Sequence, residues 1–141
     1  MISRYDFTES LRRSGVAPGV TVFCHSNIAF FGPVENVQTI TELSDFVLNC
    51  FFDVLGPTGR LVLPAFTYSF GSDKETKIFD PLEPVSSMSS LTSSVFASGS
   101  YHRSLDPMLS VVSIGHDSES LVSDVGNICF GPNSIWSRLY A

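Results

Sequence analysis

Apolar and polar positions along the chain follow two different periods, one typical of helices and one typical of strands. The clearest period is helical, because apolar residues recur three or four positions apart at Val37, Ile40, Leu43, Val47, Phe51 and Val54. Asn36 is a plausible cap for this predicted helix, and Gly56-Pro57 ends it because proline cannot continue a helix. Short apolar runs lie on either side, at Val20–Cys24 and Arg60–Pro64, and we predict a strand at each.

A strand, a helix and a strand within about 45 residues form a βαβ unit, in which the two strands are parallel and the crossover is right-handed. Both predicted strands are apolar on both faces, as is typical of a sheet with helices on either side. The sequence therefore predicts an α/β fold with three α/β/α layers. We expect a mainly parallel central sheet that is incomplete at its C-terminal side.

The remaining predicted elements are shorter. They are a helix at Tyr5–Ser14 capped by Asp6 or Thr8, a helix at about 89–98, a strand at Leu109–Ile114, a helix at Asp117–Ser123 capped by Asp117, and a helix capped by Asn133 or Ser134. His102 is predicted to be a loop residue. Residues 65–88 form a long irregular connection, and such connections in compact domains are usually functional or mobile.

The composition of the chain makes some classes of function less suitable than others. Charged residues make up 16% of the chain and hydrophobic residues 43%, which indicates a folded domain rather than a disordered segment. The net charge of −6 and the lack of a basic run argue against nucleic-acid binding, which depends on Lys and Arg neutralising phosphates. An acidic surface would suit a cationic substrate such as an amino sugar, although many acidic proteins are merely soluble.

Cysteine use and hydropathy indicate the compartment. Cys24, Cys50 and Cys129 form no CxxC pair and have no histidine at metal-ligand spacing, so we expect reduced thiols and no metal site. The chain starts without the pattern of a signal peptide, and no apolar run is long enough to span a bilayer. We therefore expect a cytoplasmic protein without membrane insertion.

Candidate chemistry lies at the predicted strand ends. His25 and Ser26 follow the first strand and Pro64–Phe66 ends the second, and open α/β sheets bind ligands beyond the carboxyl ends of their strands. The loop after His25 leads to the N-terminus of the long helix, where free backbone N–H groups could bind an anion such as a pyrophosphate. Arg103 could hold a phosphate, and Asp106 before Pro107 is equally good as a turn-forming residue.

Four sequence motifs occur in a characteristic order. The first strand closes in His25-Ser26-Asn27-Ile28 where the related pattern is His-Ser-Ser-Leu, and Leu55–Thr67 follows Leu-Gly-Pro-x-Gly-x-Leu-Val-x-Pro-x-Phe-Thr almost residue for residue. Arg103–Ser110 resembles Arg-Ser-x-His-Pro-x-x-Ser, and Phe130–Leu139 resembles Phe-Gly-x-x-Ser-Pro-x-x-Arg-Leu, each with one difference. In this order the motifs resemble those of the aminoglycoside 3-N-acetyltransferase family, over essentially the whole chain.

The resemblance implies transfer of an acyl group from a coenzyme A (CoA) thioester, acetyl-CoA or another acyl-CoA, to an amino group of an aminoglycoside or amino sugar. Residues that would then line the CoA site are His25, Ser26, Asn27, Ile28, Phe31 and Gly32, with Ser104 and Ser110 as secondary contacts. Asp106 stands where the family has histidine and is the candidate catalytic residue. An aspartate could bind a cationic amine, but it is a poor base near neutral pH unless its pKa is raised.

The resemblance also implies that residues 1–141 are the N-terminal portion of a single acyltransferase domain, with the general base of the family beyond Ala141. The alternative is a truncated, catalytically inactive remnant that acts at most as a CoA-binding or interaction module. Antibiotic inactivation and sugar modification in polysaccharide synthesis both remain open. An exposed sheet edge in such a portion favours self-association.

Overall fold

The computed structural model of the chain describes residues 1–68, 79–85, 88–126 and 128–141. Its elements are α1 (Arg4–Arg13), β1 (Thr21–Phe23), α2 (Ile40–Leu55), β2 (Arg60–Pro64), α3 (Ser90–Ser98), β3 (His102–Arg103), β4 (Val111–Gly115), α4 (Ser118–Val122) and α5 (Ile135–Tyr140). Much of the connection predicted at residues 65–88 lies outside the described residues. Within the described ranges, no helix is both long and apolar enough to cross a membrane.

The strands form a mixed sheet in the order β1-β2-β4-β3. β1 pairs parallel to β2, with Phe23 opposite Val62, so the α/β class and the predicted parallel pair are confirmed. The expectation of a mainly parallel sheet needs correction. The sheet is mixed, because β4 pairs antiparallel with both β2 and β3. A short loop after β3 reverses the chain into β4, and such a reversal between neighbouring strands gives antiparallel pairing.

Helices cover both faces of this sheet. Side chains alternate along a strand, so Leu61 and Leu63 of β2 point to one face while Val62 points to the other. The first face packs against α1, α2 and α3, and its core includes Val47, Phe51 and Val95. On the second face, Val62 packs with residues of α4 and α5. The predicted three-layer arrangement is therefore confirmed.

The N-terminus of α2 differs from the prediction. Thr39, not Asn36, is the cap, and its hydroxyl accepts a hydrogen bond from the backbone N–H of Glu42 at 3.2 Å. The Glu42 carboxylate accepts in return from the N–H groups of Gln38 and Thr39, at 2.8 and 3.0 Å. This reciprocal capping box fixes the start of the helix, and Gly56 ends it as predicted.

For the caps of the other helices, some predictions are correct and others are wrong. Ser3 caps α1, in place of the predicted Asp6 or Thr8. Asp117 precedes α4, but its side chain makes no capping hydrogen bond. Ser134 caps α5, as one of the two predicted residues. His102 belongs to β3 and not to a loop, because its partner strand β4 extends the sheet far enough to pair with it.

Candidate functional site

The carboxyl ends of β1 and β2 lie side by side and bring two of the predicted site segments together. His25 follows β1 and Phe66 follows β2, and their ring centroids are 6.1 Å apart. This proximity follows from the parallel register, in which strands that run the same way end at the same edge of the sheet. Open α/β sheets place ligands at such an edge.

The loop after β1 is anchored at its centre and exposed at its start. The Asn27 side chain accepts a hydrogen bond from the N–H of Ala29 at 3.2 Å and begins a short 3₁₀ turn at Ile28–Phe30. Ile28 is buried in the core, whereas His25 and Asn27 are exposed and Ser26 is half-buried. The buried isoleucine therefore holds the polar side chains before it at the edge of the sheet.

The second half of this loop serves mainly to direct the chain towards α2. The Phe31 ring lies 5.5 Å from the ring of Phe7 in α1. Gly32 has a φ of +81°, a conformation that residues with a Cβ atom rarely adopt, and the space around it is open. These two residues shape the loop from the side of α1.

A group of touching rings surrounds the ends of β1 and β2. We call it the aromatic cluster, and it consists of Phe23, His25, Phe66, Tyr68, Phe130 and Trp136. The Trp136 ring centroid lies 5.2 Å from that of Phe23, 6.0 Å from Phe66 and 6.5 Å from Phe130. Tyr68 and Phe130 are more than 60% exposed, so one side of the cluster is open.

Sequence reasoning missed this cluster. From the sequence, Pro64–Phe66 is expected at the end of the second strand and His25 at the end of the first, but no local signal brings Trp136 to that edge. The available signal was that Trp136 lies inside the last of the four motifs and Phe66 inside the second. The buried indole nitrogen of Trp136 has no hydrogen-bond partner among the described residues, which marks it as an unused donor at this edge.

The predicted secondary contacts lie in the interior. Ser104 and Ser110 are fully buried. The Ser104 hydroxyl accepts from the N–H of Val111 at 3.0 Å, and the Ser110 hydroxyl donates to the carbonyl of Ala65 at 2.7 Å. These hydroxyls hold the β3–β4 loop against the end of β2, and their predicted contact with CoA stays a prediction.

Asp106 lies in the same loop and is also buried. One oxygen of its carboxylate accepts hydrogen bonds from the N–H groups of Met108 and Leu109, both at 2.8 Å. This geometry gives Asp106 the turn-forming role that the sequence allowed as an alternative. The predicted catalytic role of Asp106 stays a prediction.

Cys129 adjoins this carboxylate. Hydrogen bonding to Asp106, together with partial burial, raises the pKa of the Cys129 thiol. The thiol therefore stays protonated at neutral pH, and a protonated thiol is a poor nucleophile. A nucleophilic role for Cys129 is therefore disfavoured.

The Arg103 guanidinium is engaged in internal hydrogen bonds and is not free to bind a phosphate. Its guanidinium donates to the carbonyls of Ala65 and Glu83, both at 2.9 Å, and to the Ser110 hydroxyl at 3.1 Å. The rings of Phe79 and Phe96 lie against its charge, at 5.0 and 5.4 Å. Burial lowers the pKa of this guanidinium, and the carbonyl acceptors compensate for its lost hydration. Arg103 thereby ties residues 79–85 to the end of β2.

The N-terminus of α2, where the sequence suggested an anion, already holds a carboxylate. Hydrogen bonds from the backbone N–H groups of Gln38 and Thr39 lower the pKa of Glu42, so this side chain is ionised at neutral pH. A second anion would meet like-charge repulsion there. Among the residues described, no three His, Cys, Asp or Glu side chains group as metal ligands.

The fold and its site define a class of protein: a three-layer α/β protein with a partly exposed aromatic cluster at the carboxyl ends of a parallel strand pair. The aminoglycoside 3-N-acetyltransferase family model matches residues 23–141, so the chain belongs to this family. A comparison with curated protein sequences gives no significant match.

Solved structures resemble the chain over nearly its whole length. They include the YokD protein from Bacillus subtilis, with 18% identity, a TM-score of 0.78 and coverage of 99% of this chain and 60% of that one. Aminoglycoside acetyltransferase AAC(3)-Xa has 22% identity, a TM-score of 0.77 and coverage of 98% and 52%. AAC-IIIb, solved as a binary complex with CoASH, has 19% identity, a TM-score of 0.77 and coverage of 98% and 55%. The chain thus spans little more than half the length of the structures it matches.

Proposed function

We propose that this chain forms the CoA-binding part of an acyl-CoA-dependent N-acyltransferase that acts on an amino group of an aminoglycoside or amino sugar. The observation that carries the proposal is the position of the loop His25–Gly32. It is the loop that the resemblance assigns to CoA, and it lies at the carboxyl end of a parallel strand pair, beside Phe66. Membership of the family supports the same activity.

Acyl transfer requires hydrogen-bond donors, and the loop His25–Gly32 can supply them. When an amine attacks a thioester, negative charge develops on the carbonyl oxygen, and fixed hydrogen-bond donors stabilise that charge. The Ser26 hydroxyl and the Asn27 amide supply such donors at the start of the loop, and buried Ile28 fixes their backbone. In this proposal the chain binds and orients the thioester.

Two further observations support the choice of substrates. One related structure was solved with CoASH, and others were solved with sisomicin or with apramycin. The net charge of −6 favours the approach of polycationic amines by long-range attraction. An acyl-CoA and a cationic amino sugar are therefore the co-substrates that we propose.

A second candidate function is a CoA-binding module without catalysis. The structure favours it in one respect, because Asp106 and Arg103 are engaged in structural hydrogen bonds. Within the described residues, the site offers binding groups without an assembled acid–base pair. Binding and turnover must therefore be measured separately.

Trp136 makes the binding test direct, because it is the single tryptophan of the chain and lies in the aromatic cluster. Titration with acetyl-CoA should change its fluorescence saturably. Asn27→Ala should weaken binding roughly tenfold, the effect of losing one hydrogen bond. The control is Asn49→Ala, which removes an exposed amide from α2.

Release of the CoA thiol in the presence of an amino sugar then separates the two functions. Turnover supports the acyltransferase, and saturable binding without turnover supports the module. A chain that folds but binds no acetyl-CoA would rule out both.

A further inference from the structure

We propose that a groove between α2 and α3 binds a small molecule that carries a primary ammonium group on an apolar body. None of the described residues that line this groove belongs to the loop His25–Gly32 or to the aromatic cluster, so the inference goes beyond the proposed function and does not depend on it. The shape of the groove, its apolar floor and one oriented carboxylate at its rim carry the inference.

The groove forms because α3 has small side chains where it faces α2. Ala97 and Ser98 line it from α3, and Thr41 and Leu48 line it from α2. Its volume is about 530 Å³, within the range of roughly 300–1,000 Å³ that is typical of small-molecule sites. The rim residues Thr41, Asp45 and Ala97 are exposed, so a ligand can enter from solvent without a change in the fold.

The floor of the groove is apolar. Leu48 and Phe52 lie four residues apart on α2, and both are half-buried. Val95 of α3 and Ile114 of β4 lie below them and are buried. A ligand with an apolar body would complete the burial of Leu48 and Phe52, which is favourable by about 25 cal/mol for each Å² of apolar surface removed from water.

Asp45 is the single charged side chain among the described residues that line the groove. One oxygen of its carboxylate accepts a hydrogen bond from the Ser94 hydroxyl of α3 at 3.0 Å, and this contact orients the carboxylate between the two helices. The other oxygen accepts no hydrogen bond from the described residues. Arg4 lies in a depression on the far side of Asp45, but its guanidinium is bonded to Asp53 at 2.6 and 2.8 Å. The second oxygen of Asp45 is therefore placed to accept from an ammonium group of a ligand.

The spacing of these groups sets the length of the ligand. Asp45, Leu48 and Phe52 recur three and four residues apart, so they share one side of α2. The rise from Asp45 to Phe52 is about 10 Å along the helix axis. The probe 4-phenylbutylamine spans about this distance, with its ammonium group at Asp45 and its ring at Phe52.

Calorimetric titration compares three probes that share one apolar body: 4-phenylbutylamine, 4-phenyl-1-butanol and 4-phenylbutyrate. The amine should bind saturably and about fivefold more tightly than the alcohol, the effect of one exposed ion pair. The carboxylate probe should bind more weakly than the alcohol, because it meets the like charge of Asp45. The fluorescence of Trp136 should not change, because the indole packs on the second face of the sheet.

Two variants separate the carboxylate from the apolar floor. Asp45→Asn keeps an acceptor for Ser94 and removes the charge, so it should lower amine affinity about fivefold and leave alcohol affinity unchanged. Asp124→Asn makes the same chemical change at an exposed position after α4, and it is the matched control. Ala97→Leu fills the groove from an exposed position, and it should weaken both probes roughly tenfold without lowering the melting temperature.

Equal affinities for the amine and the alcohol, or equal effects of Asp45→Asn and Asp124→Asn, would overturn the inference. It would also be overturned if the amine does not bind, as when a lysine of the chain already occupies Asp45, or if acetyl-CoA displaces the amine. The proposed function is tested separately, since acetyl-CoA should change Trp136 fluorescence equally in Asp45→Asn and in the parent chain.

Discussion

The two ends of strand β2 are built in different ways. At its amino end, backbone meets backbone: the N–H of His116 donates to the carbonyl of Gly59 at 3.0 Å, and a Cβ atom on Gly115 would come within 2.6 Å of that oxygen. At its carboxyl end, side chains fill the space, with Phe66 between His25 and Trp136.

This difference is the reason why we place the proposed thioester at the carboxyl end. A contact between backbone atoms at 3.0 Å cannot be exchanged for a contact with a ligand unless the strand moves. Contacts between aromatic side chains can be exchanged for contacts with a ligand, since rings rotate without disturbing the ladder of the sheet. The carboxyl end therefore combines a backbone held by the sheet with side chains that can rearrange around the proposed thioester.

The largest loss of stability is expected at the carboxyl end of β2, which depends on the buried side chain of Arg103. Arg103→Met removes the guanidinium that donates to the carbonyls of Ala65 and Glu83 and to the Ser110 hydroxyl. It should lower the free energy of unfolding by about 3 kcal/mol, because several charge-assisted hydrogen bonds are lost together. Thermal unfolding should then occur roughly 10 °C lower. Arg13→Met, at an exposed position of α1, is the control. A loss no larger than in this control would show that Arg103 does not hold the carboxyl end.

A smaller loss of stability is expected from a substitution at the amino end of β2. Gly115→Ala should cost about 2–3 kcal/mol of unfolding free energy, because the residue has a φ of +101° and its new Cβ atom meets a backbone oxygen. Gly32→Ala is the matched control at the carboxyl end, with a φ of +81° and open space around it. It should cost only about 1 kcal/mol, the penalty of backbone strain alone. Equal losses by chemical denaturation would contradict the contrast between the two ends.

The smallest effect concerns the charge at the start of α2. Glu42 has a pKa below its ordinary value of 4.5 in the folded chain, so its ionised form stabilises folding above that value. Glu42→Gln should therefore be less stable than the parent at neutral pH. The difference should disappear as the pH falls through the depressed pKa of Glu42. Glu35→Gln, at an exposed loop position, is the control in the same denaturation series. A difference that persists in acid would show that shape, and not charge, is responsible.

Much of the fold could be predicted because its signals are local. The period of apolar residues and the stop at Gly56 place α2 within a few residues, and the bounds of β2 agree with the predicted Arg60–Pro64. The cap of α2 was wrong because Asn36 and Thr39 are both good capping residues. The Glu42 carboxylate accepts a hydrogen bond from the backbone N–H of Thr39, and this contact makes Thr39 the cap.

The candidate site could be predicted only in part. A strand end followed by His25 and Ser26 indicates the edge of the sheet at which we propose the site. The roles of Arg103, Ser104 and Ser110 could not be predicted in this way, because a polar residue in a loop can face a ligand or the interior. Their burial depends on how the β3–β4 loop folds back onto Ala65.

By itself, the sequence determined the α/β class, the parallel β1–β2 pair, the four motifs of the family and the loop that begins at His25. These follow from periods and spacings between neighbouring residues. The tertiary structure alone decided that β4 runs antiparallel to β2, that Arg103 is an internal hub, and that Phe23, Phe66 and Trp136 meet in one cluster. The physical reason is that these contacts join residues far apart in the chain, so their energy exists only once the layers have packed.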